Sequence, residues 1–327
     1  MYNKKMAMLY IIEILQEYSD ENHLLTQQDI IEKLYNIYHV EIERKTIAST
    51  IELLTEYKYD IIKVPTKGYY LASREFDETE VKYLVDAIYS SKTIPGKLAS
   101  KLSKKLYSNL SKYEQKNFSY LYKSTEINRN QNLDFFLNIE LINEAIKNKK
   151  KISFEYLEYD ETGKLKKRRN GYKYKVSPYF LINNFNKYYL VCNINLFNNH
   201  VYFRVEYMTN ITILEDSIKP YKDVETLGSN FNISKYINDH IYMFGGNLIT
   251  ATLEIQNKTT ITYIIDWFGN NARVYKIDEK VMATIKTDEE AFYYWALQYH
   301  DHIKIISPTS IVDRIKQSLE NNLNKYK

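Results

Sequence analysis

The chain has 327 residues, 26% of them charged and 44% hydrophobic, with a net charge of +4 and a single cysteine, Cys192. That length supports two or three domains with cores of their own, and the lone cysteine excludes an intrachain disulfide. No apolar run reaches the roughly eighteen residues of a membrane span, and the start lacks a basic-then-apolar leader, so a cytoplasmic protein with no membrane partner is expected.

Charge is unevenly spread. Residues 1–75 hold nine Lys/Arg against twelve Asp/Glu (−3), residues 91–129 nine against two (+7), and residues 138–220 fourteen against nine (+5). The middle is therefore a better footprint for a polyanion than the N-terminal part. The 33 tyrosines leave many flat amphipathic surfaces, although an AT-rich genome alone would also enrich Tyr, Asn, Ile and Lys.

Helical spacing predicts a first helix from Met6 to Tyr18, with Met8, Ile11, Ile12, Leu15 and Tyr18 on one face. Thr26 is a good N-cap for a second helix, with Asp29 at the positive end of its dipole and Ile30, Leu34 and Ile37 as its stripe. A third helix is expected from about Glu43 to Tyr57, with Ile47, Ile51 and Leu54 inward. Strands follow at Ile61–Val64 and Tyr69–Leu71 across a Pro65-Thr-Lys-Gly68 turn. Three helices and a hairpin make the order of a winged helix-turn-helix. The outward face of the third helix then shows Lys45, Ala48, Ser49 and Glu52, flanked by Arg44 and Thr46. Small and hydrogen-bonding side chains there allow close approach to base edges, while Arg44, Lys45 and Lys67 reach phosphates. The candidate DNA contacts are Arg44, Lys45, Thr46, Ser49, Thr50, Lys63 and Lys67; an ordinary solvated helix would show a similar face.

Helices are expected next at Asp77–Ser90 (Val81, Leu84, Val85 and Ile88 inward), Lys97–Tyr107 (Leu98, Leu102 and Leu106 inward, Lys101, Lys104 and Lys105 outward) and Asp134–Asn148, with a polar loop at Asn128–Asn132. Five short strands then crowd into Lys151–Leu214: Ile152–Tyr156, Tyr172–Pro178, Tyr188–Ile194, Val201–Tyr207 and Ile211–Leu214. Such density predicts a small, strongly bent β-barrel. The run Lys164-Leu-Lys-Lys-Arg-Arg169 is expected in a turn, where it adds non-specific attraction for polyanions. Alternation sets Tyr202, Arg204 and Glu206 on one strand face and Phe203, Val205 and Tyr207 on the other. An arginine among tyrosines can hold a phosphate and stack a base, or else simply pair with Glu206 or Glu155. Tyr156, Tyr179, Tyr189, Arg204 and Tyr207 are the candidate effector residues.

After Pro220 a polar linker with Gly228 and Gly245-Gly246 leads to strand Ile249–Ile255, helix Thr259–Trp267, a hairpin of Ala272–Ile277 and Val281–Lys286, helix Asp288–Tyr299, strand Ile303–Ser307 and helix Thr309–Asn324. That β-α-β-β-α-β order predicts a ferredoxin-like domain.

The barrel segment also carries a resemblance. Val176-Ser-Pro178, Tyr188-Tyr-Leu190 and Phe203-Arg204 resemble the WYL domain of bacterial transcription regulators, an Sm-like barrel. Tyr188 stands where the name-giving tryptophan is usual, Arg204 matches the first arginine of the following signature, and Tyr207 takes the place of the second. Lys45-Thr-Ile47 and Lys67-Gly-Tyr-Tyr-Leu71 are similar to the DeoR-like winged helices that precede such domains, with Ser49-Thr50 in place of a frequent Arg-Asp pair. The resemblance implies an α+β multidomain chain: a winged helix-turn-helix at 1–75, a helical connector at 76–137 that often mediates dimer contact, the barrel at 138–220, and at 221–327 a C-terminal extension that makes dimer contacts and can cover the effector site.

No glycine-rich phosphate loop, zinc-spaced cysteine set or nucleophile elbow occurs, and His300-Asp-His302 fits a surface turn better than a metal site. No cofactor and no catalysis are expected. The expected function is a homodimeric, ligand-responsive regulator of transcription that binds double-stranded DNA and senses a nucleotide or single-stranded nucleic acid. The alternative is an accessory protein that binds nucleic acid and uses its winged helix for protein contacts.

Overall fold

The computed structural model describes residues 6–118, 132–227, 232–244 and 246–327. The loop expected at Asn128–Asn132 lies, apart from Asn132, outside the described residues, as do Gly228 and Gly245. The chain is an α+β protein of two compact units, Met1–Leu133 and Asp134–Lys327.

The first unit begins with helices α1 (Ala7–Tyr18), α2 (Gln27–Tyr38) and α3 (Arg44–Glu56) and a hairpin of β1 (Ile61–Val64) and β2 (Gly68–Leu71). Helix α2 starts on a reciprocal cap: the Asp29 N–H donates to Thr26 Oγ1 at 3.1 Å and the Thr26 N–H to the Asp29 carboxylate at 2.8 Å. Such caps stabilise a helix start by about 1 kcal/mol. The hairpin is tied back by Leu25 N–H donating to Tyr69 O (2.9 Å) and Tyr69 N–H to Leu25 O (2.8 Å). That close approach explains Gly68, whose φ is +133° and whose Cβ, if present, would sit 2.4 Å from the Leu25 oxygen. Ile11, Leu15, Ile30, Leu34, Ile47 and Ile51 form the core. Met8 and Ile37, expected inside, are exposed: the α1 stripe turns instead through Ala7, Ile11 and Ile14, and α2 buries only Ile30 and Leu34.

Three further helices follow among the described residues of this unit: α4 (Glu78–Ser90), α5 (Gly96–Tyr107) and α6 (Lys112–Lys116). Asp77 and Glu80 cap α4 reciprocally. The buried line of α5 is Ala99, Ser103 and Tyr107 rather than the three leucines, which are half-buried on its flanks. Ser103 turns its hydroxyl back to the Ala99 carbonyl at 2.9 Å, which lets a polar residue sit in the core.

The second unit opens with α7 (Phe135–Lys147), which packs on a curled sheet of six strands: β3 (Lys150–Tyr159), β4 (Leu165–Lys167), β5 (Tyr174–Asn184), β6 (Lys187–Asn193), β7 (Val201–Arg204) and β8 (Met208–Ser217). The order is β4-β3-β5-β6-β7 with β8 also on β3, and every pairing is antiparallel. Strand β3 thus bonds three neighbours along ten residues, which makes the sheet curl. The sixth strand, β4, comes from the basic run expected to be a turn; Lys166 pairs with Glu158, so opposite charges sit directly across the ladder.

A short helix α8 (Ile233–Asp239) leads to β9 (Leu248–Ile255), α9 (Thr260–Phe268), β10 (Ala272–Ile277), β11 (Lys280–Asp288), α10 (Glu289–Gln298), β12 (Ile303–Ser307) and α11 (Thr309–Lys325). The four strands form an antiparallel sheet of order β10-β11-β9-β12. Ala251, Leu253, Ala283 and Ile285 point from it into a core with Phe268, Phe292, Trp295 and Ile311 from the helices. No helix of the described residues is long and apolar enough to cross a membrane.

Candidate functional site

Strand β7 ends at Arg204, and the backbone turns into a single 3-10 turn at Val205–Tyr207. Strict alternation therefore stops at Arg204, and Tyr207, expected on the opposite face, comes round beneath it. Its ring centre lies 4.7 Å from the guanidinium carbon. On the other side the β6–β7 register sets Tyr189 directly beside Arg204. The hydroxyl of Tyr156 reaches over from β3 and accepts the Arg204 backbone N–H at 3.1 Å. Four of the five tyrosine and arginine candidates are thus one cluster.

Arg204 Nε donates to Glu206 Oε1 at 2.7 Å, and Nη2 donates to the same oxygen. Glu206 is 2% exposed. Of the two partners left open by the sequence, Glu206 is the one used; Glu155 instead meets Lys167 Nζ at 2.7 Å and accepts from Asn210 at 3.0 Å. Burial pulls the Arg204 pKa down most strongly, but the Glu206 carboxylate and the neighbouring tyrosines together outweigh it and hold the guanidinium charged. Burial pushes the Tyr156 hydroxyl up to about 12 and raises Tyr189 and Tyr207 as well, so all three stay neutral donors near pH 7. A permanent cation among neutral hydroxyls and flat rings suits an anionic, aromatic ligand.

The cluster opens on a cavity of about 820 Å³. Tyr156, Tyr189, Tyr202 and Arg204 form its barrel wall, Asn184, Phe185 and Lys187 the tip of the β5–β6 hairpin, and Tyr242, Met243, Phe244 and Trp267 the far side. The far side is braced by rings: Phe185 and Trp267 lie 5.0 Å apart, Tyr242 and Trp267 5.2 Å. The Asn184 side chain donates to the Ile241 carbonyl at 2.9 Å and joins hairpin to far wall. His200 also lines the cavity, with its Nε2 at 2.6 Å from both the Tyr202 and Tyr236 hydroxyls and its Nδ1 against Thr226. Burial, with His240 nearby, pulls its pKa down to about 4, so it is a neutral tie between β7 and the following chain.

Tyr179 is the correction. It does not line the cavity: it sits 5% exposed in an apolar cluster with Val191, Val224 and Leu227, and donates its hydroxyl to the Lys219 carbonyl at 2.8 Å. The β5–β6 register slips between Pro178 and Phe180, which turns Tyr179 away from the cavity; a proline inside a strand is the sequence signal of such a bulge. Sequence reasoning also missed Asn184, Phe185, Lys187, His200, Tyr242, Phe244 and Trp267. Tyr202 was within reach, since alternation sets it on the Arg204 face.

On α3, Arg44, Lys45, Thr46 and Ser49 are exposed, as are Lys63 and Lys67 on the hairpin. The Arg44 guanidinium donates to Gln28 Oε1 at 3.1 Å, and Lys63 lies 5.9 Å over the Tyr69 ring. Thr50 is 8% exposed and faces the core with Ile47 and Ile51, so it leaves the set of candidate DNA contacts. His300 contacts the Leu297 carbonyl (2.9 Å) and Asp301 (3.2 Å), and among the described residues no group of three or more His, Cys, Asp and Glu is placed to hold a metal ion.

Comparison with known proteins bears on the same segment. No curated protein matches the chain. Among solved structures, proteasome accessory factor B/C (PafBC) of Arthrobacter aurescens aligns over 98% of this chain and 49% of its own length, at 13% identity and a TM-score of 0.28. This chain thus spans about half of that protein. A CRISPR Cas-related protein aligns over 98% of this chain and 85% of its own, at 16% identity and a TM-score of 0.41. The WYL domain family model matches residues 138–213, the segment that contains β3 to β7 and all of the Arg204 cluster, and the chain therefore carries a WYL domain there.

Proposed function

We propose that the chain is a homodimeric, ligand-responsive, DNA-binding regulator of transcription without catalytic activity. In this reading residues 1–75 are a winged helix-turn-helix, 76–137 a helical connector, 138–220 an Sm-like barrel and 221–327 a ferredoxin-like extension. Helix α3 enters the major groove with Lys45, Thr46 and Ser49, while Arg44, Lys63 and Lys67 take phosphates. The barrel cavity holds a nucleotide or the end of a single strand, with phosphate on Arg204 and base among the rings. The observation that carries the reading is the Arg204 cluster, which lies in the WYL segment and opens on the 820 Å³ cavity. Switching requires only that the ligand bind one arrangement of the dimer better than the other.

Lys45→Ala combined with Ser49→Ala should weaken operator binding by at least tenfold and leave nucleotide binding intact, while Arg204→Met should do the reverse. Filter binding with operator duplex and calorimetry with nucleotides measure both. Unchanged operator affinity in the α3 variant would remove the assignment of that helix. A second reading, an accessory protein whose first unit contacts protein, is favoured by the −3 charge of residues 1–75, the buried Thr50 and the engaged Arg44. A salt dependence of duplex binding that survives unchanged in the α3 variant would support it.

A further inference from the structure

Among the described residues, the four-stranded sheet buries one face only. Register decides what the other face carries. Arg273, Thr284 and Thr252 lie side by side on β10, β11 and β9. The next row is Tyr275, Met282, Glu254 and Lys304, reaching across all four strands. Lys286 beside Thr250 lies beyond one end of these rows, and Lys280 beside Ile277 beyond the other. Arg273, Lys280, Lys286 and Lys304 are exposed. Glu254 is the one carboxylate of these rows and pairs with Lys280 at 3.2 Å; Asp278 and Glu279 lie in the adjoining turn, where Glu279 meets Lys276 at 3.7 Å.

The arrangement has the geometry of a platform. Four cations, one of them (Lys280) paired with Glu254, stand around a centre of threonines, Met282 and one ring. The Tyr275 hydroxyl lies 3.3 Å from Thr284 Oγ1, on the neighbouring strand one row away. That contact ties the half-buried Tyr275 ring to the neighbouring strand on this face. Three strand gaps of about 4.8 Å and six residues of about 3.3 Å make the face roughly 14 by 20 Å, the footprint on which four-stranded RNA-recognition sheets stack two or three bases. None of these residues lines the Arg204 cavity.

We infer that this open sheet face binds single-stranded nucleic acid, with phosphates on Arg273, Lys286 and Lys304 and a base stacked on Tyr275. Charge complementarity selects a polyanion, and the flat ring selects a strand whose bases are unpaired. The surface is distinct from the barrel cavity and gives the chain a second contact for a single strand, so it stands or falls separately from the proposed role of Arg204.

The test is fluorescence anisotropy of the full chain with a fluorescein-labelled twelve-nucleotide oligo-dT at two salt concentrations, for wild type, a triple charge reversal (Arg273→Glu, Lys286→Glu, Lys304→Glu), Tyr275→Leu and Arg204→Met. With about 0.7 counterions released per phosphate contact on a single strand, the triple variant should lower the salt slope by about 2 and affinity by more than tenfold. Tyr275→Leu should weaken binding roughly fivefold or more with the slope unchanged. Oligo binding untouched in both sheet variants would overturn the inference, and its loss in Arg204→Met alone would assign the strand to the cavity only. Equal losses for single strand and duplex in the triple variant would also overturn it, leaving a general polyanion surface. Sedimentation of the triple variant covers the remaining occupant: dissociation into monomers with oligo affinity unchanged would assign the face to a second copy of the chain. Should a sheet variant fail to fold, photocrosslinking of wild type to an oligonucleotide containing 5-iodouridine decides: adducts at Tyr275 support the inference, and adducts confined to the barrel refute it.

Discussion

Arg204→Met isolates what the buried ion pair contributes from what the ligand site requires. Glu206 has a side chain 3% exposed and Arg204 one 31% exposed, with Nε at 2.7 Å from the carboxylate. At a charge separation of about 4 Å and an effective dielectric of about 20, their attraction is roughly 4 kcal/mol. Removing one partner strands the other charge, which typically costs about 3–5 kcal/mol. Because Arg204 keeps some contact with solvent, we expect about 3 kcal/mol, or a fall in Tm of about 6–12 °C for a unit of this size. The double variant Arg204→Met, Glu206→Met removes both charges and should recover most of that loss, since buried pairs are often replaceable by apolar side chains. It should still bind no nucleotide. Urea unfolding followed by tryptophan fluorescence reads this unit, because Trp267 and Trp295, the only two tryptophans, both lie within it. Equal stability of the single and double variants would refute the reasoning, for Glu206 would then not depend on Arg204.

Further outcomes are expected. His200, held neutral by burial with its pKa near 4, is protonated more readily in the unfolded chain, so stability is full above about pH 6.5 and falls by roughly 2–3 kcal/mol as pH drops toward 4. His200→Gln should flatten that dependence in pH-resolved urea unfolding; an unchanged slope would contradict it. Gly68→Ala places a methyl group 2.4 Å from the Leu25 oxygen at a φ of +133° and should destabilise the first unit by at least 1 kcal/mol, visible in a thermal melt; an unaltered melt would contradict the hairpin tie. Thr26→Ala removes the α2 cap and should cost about 1 kcal/mol by the same melt, and no loss would mean that the cap is dispensable.

Local chemistry was legible in the sequence wherever it determines structure locally. Thr26 with Asp29 and Asp77 with Glu80 start helices within a residue of expectation, because side chain and backbone satisfy each other over three residues. The β-α-β-β-α-β order was equally readable from alternation and helical spacing. Errors arose where tertiary contacts override spacing: Ala99, Ser103 and Tyr107 took the core side of α5, and Leu165–Lys167 of the basic run paired with Leu157–Tyr159. The site was half legible. Arg204, Tyr156, Tyr189 and Tyr207 share a cluster because cross-strand register and one 3-10 turn bring them together. Tyr179 was lost to a bulge, and Tyr242, Phe244 and Trp267 arrive from far along the chain, with no local pattern to announce them.

The central claim, that one chain couples an operator-reading helix to a nucleic-acid-sensing barrel, is tested most directly by one titration. Purified protein is titrated against duplex DNA from upstream of its own gene, with and without short single-stranded oligonucleotides, at two salt concentrations. The account predicts saturable, sequence-selective duplex binding whose affinity the single strand shifts. Binding to single strands alone, indifferent to duplex sequence, would contradict it.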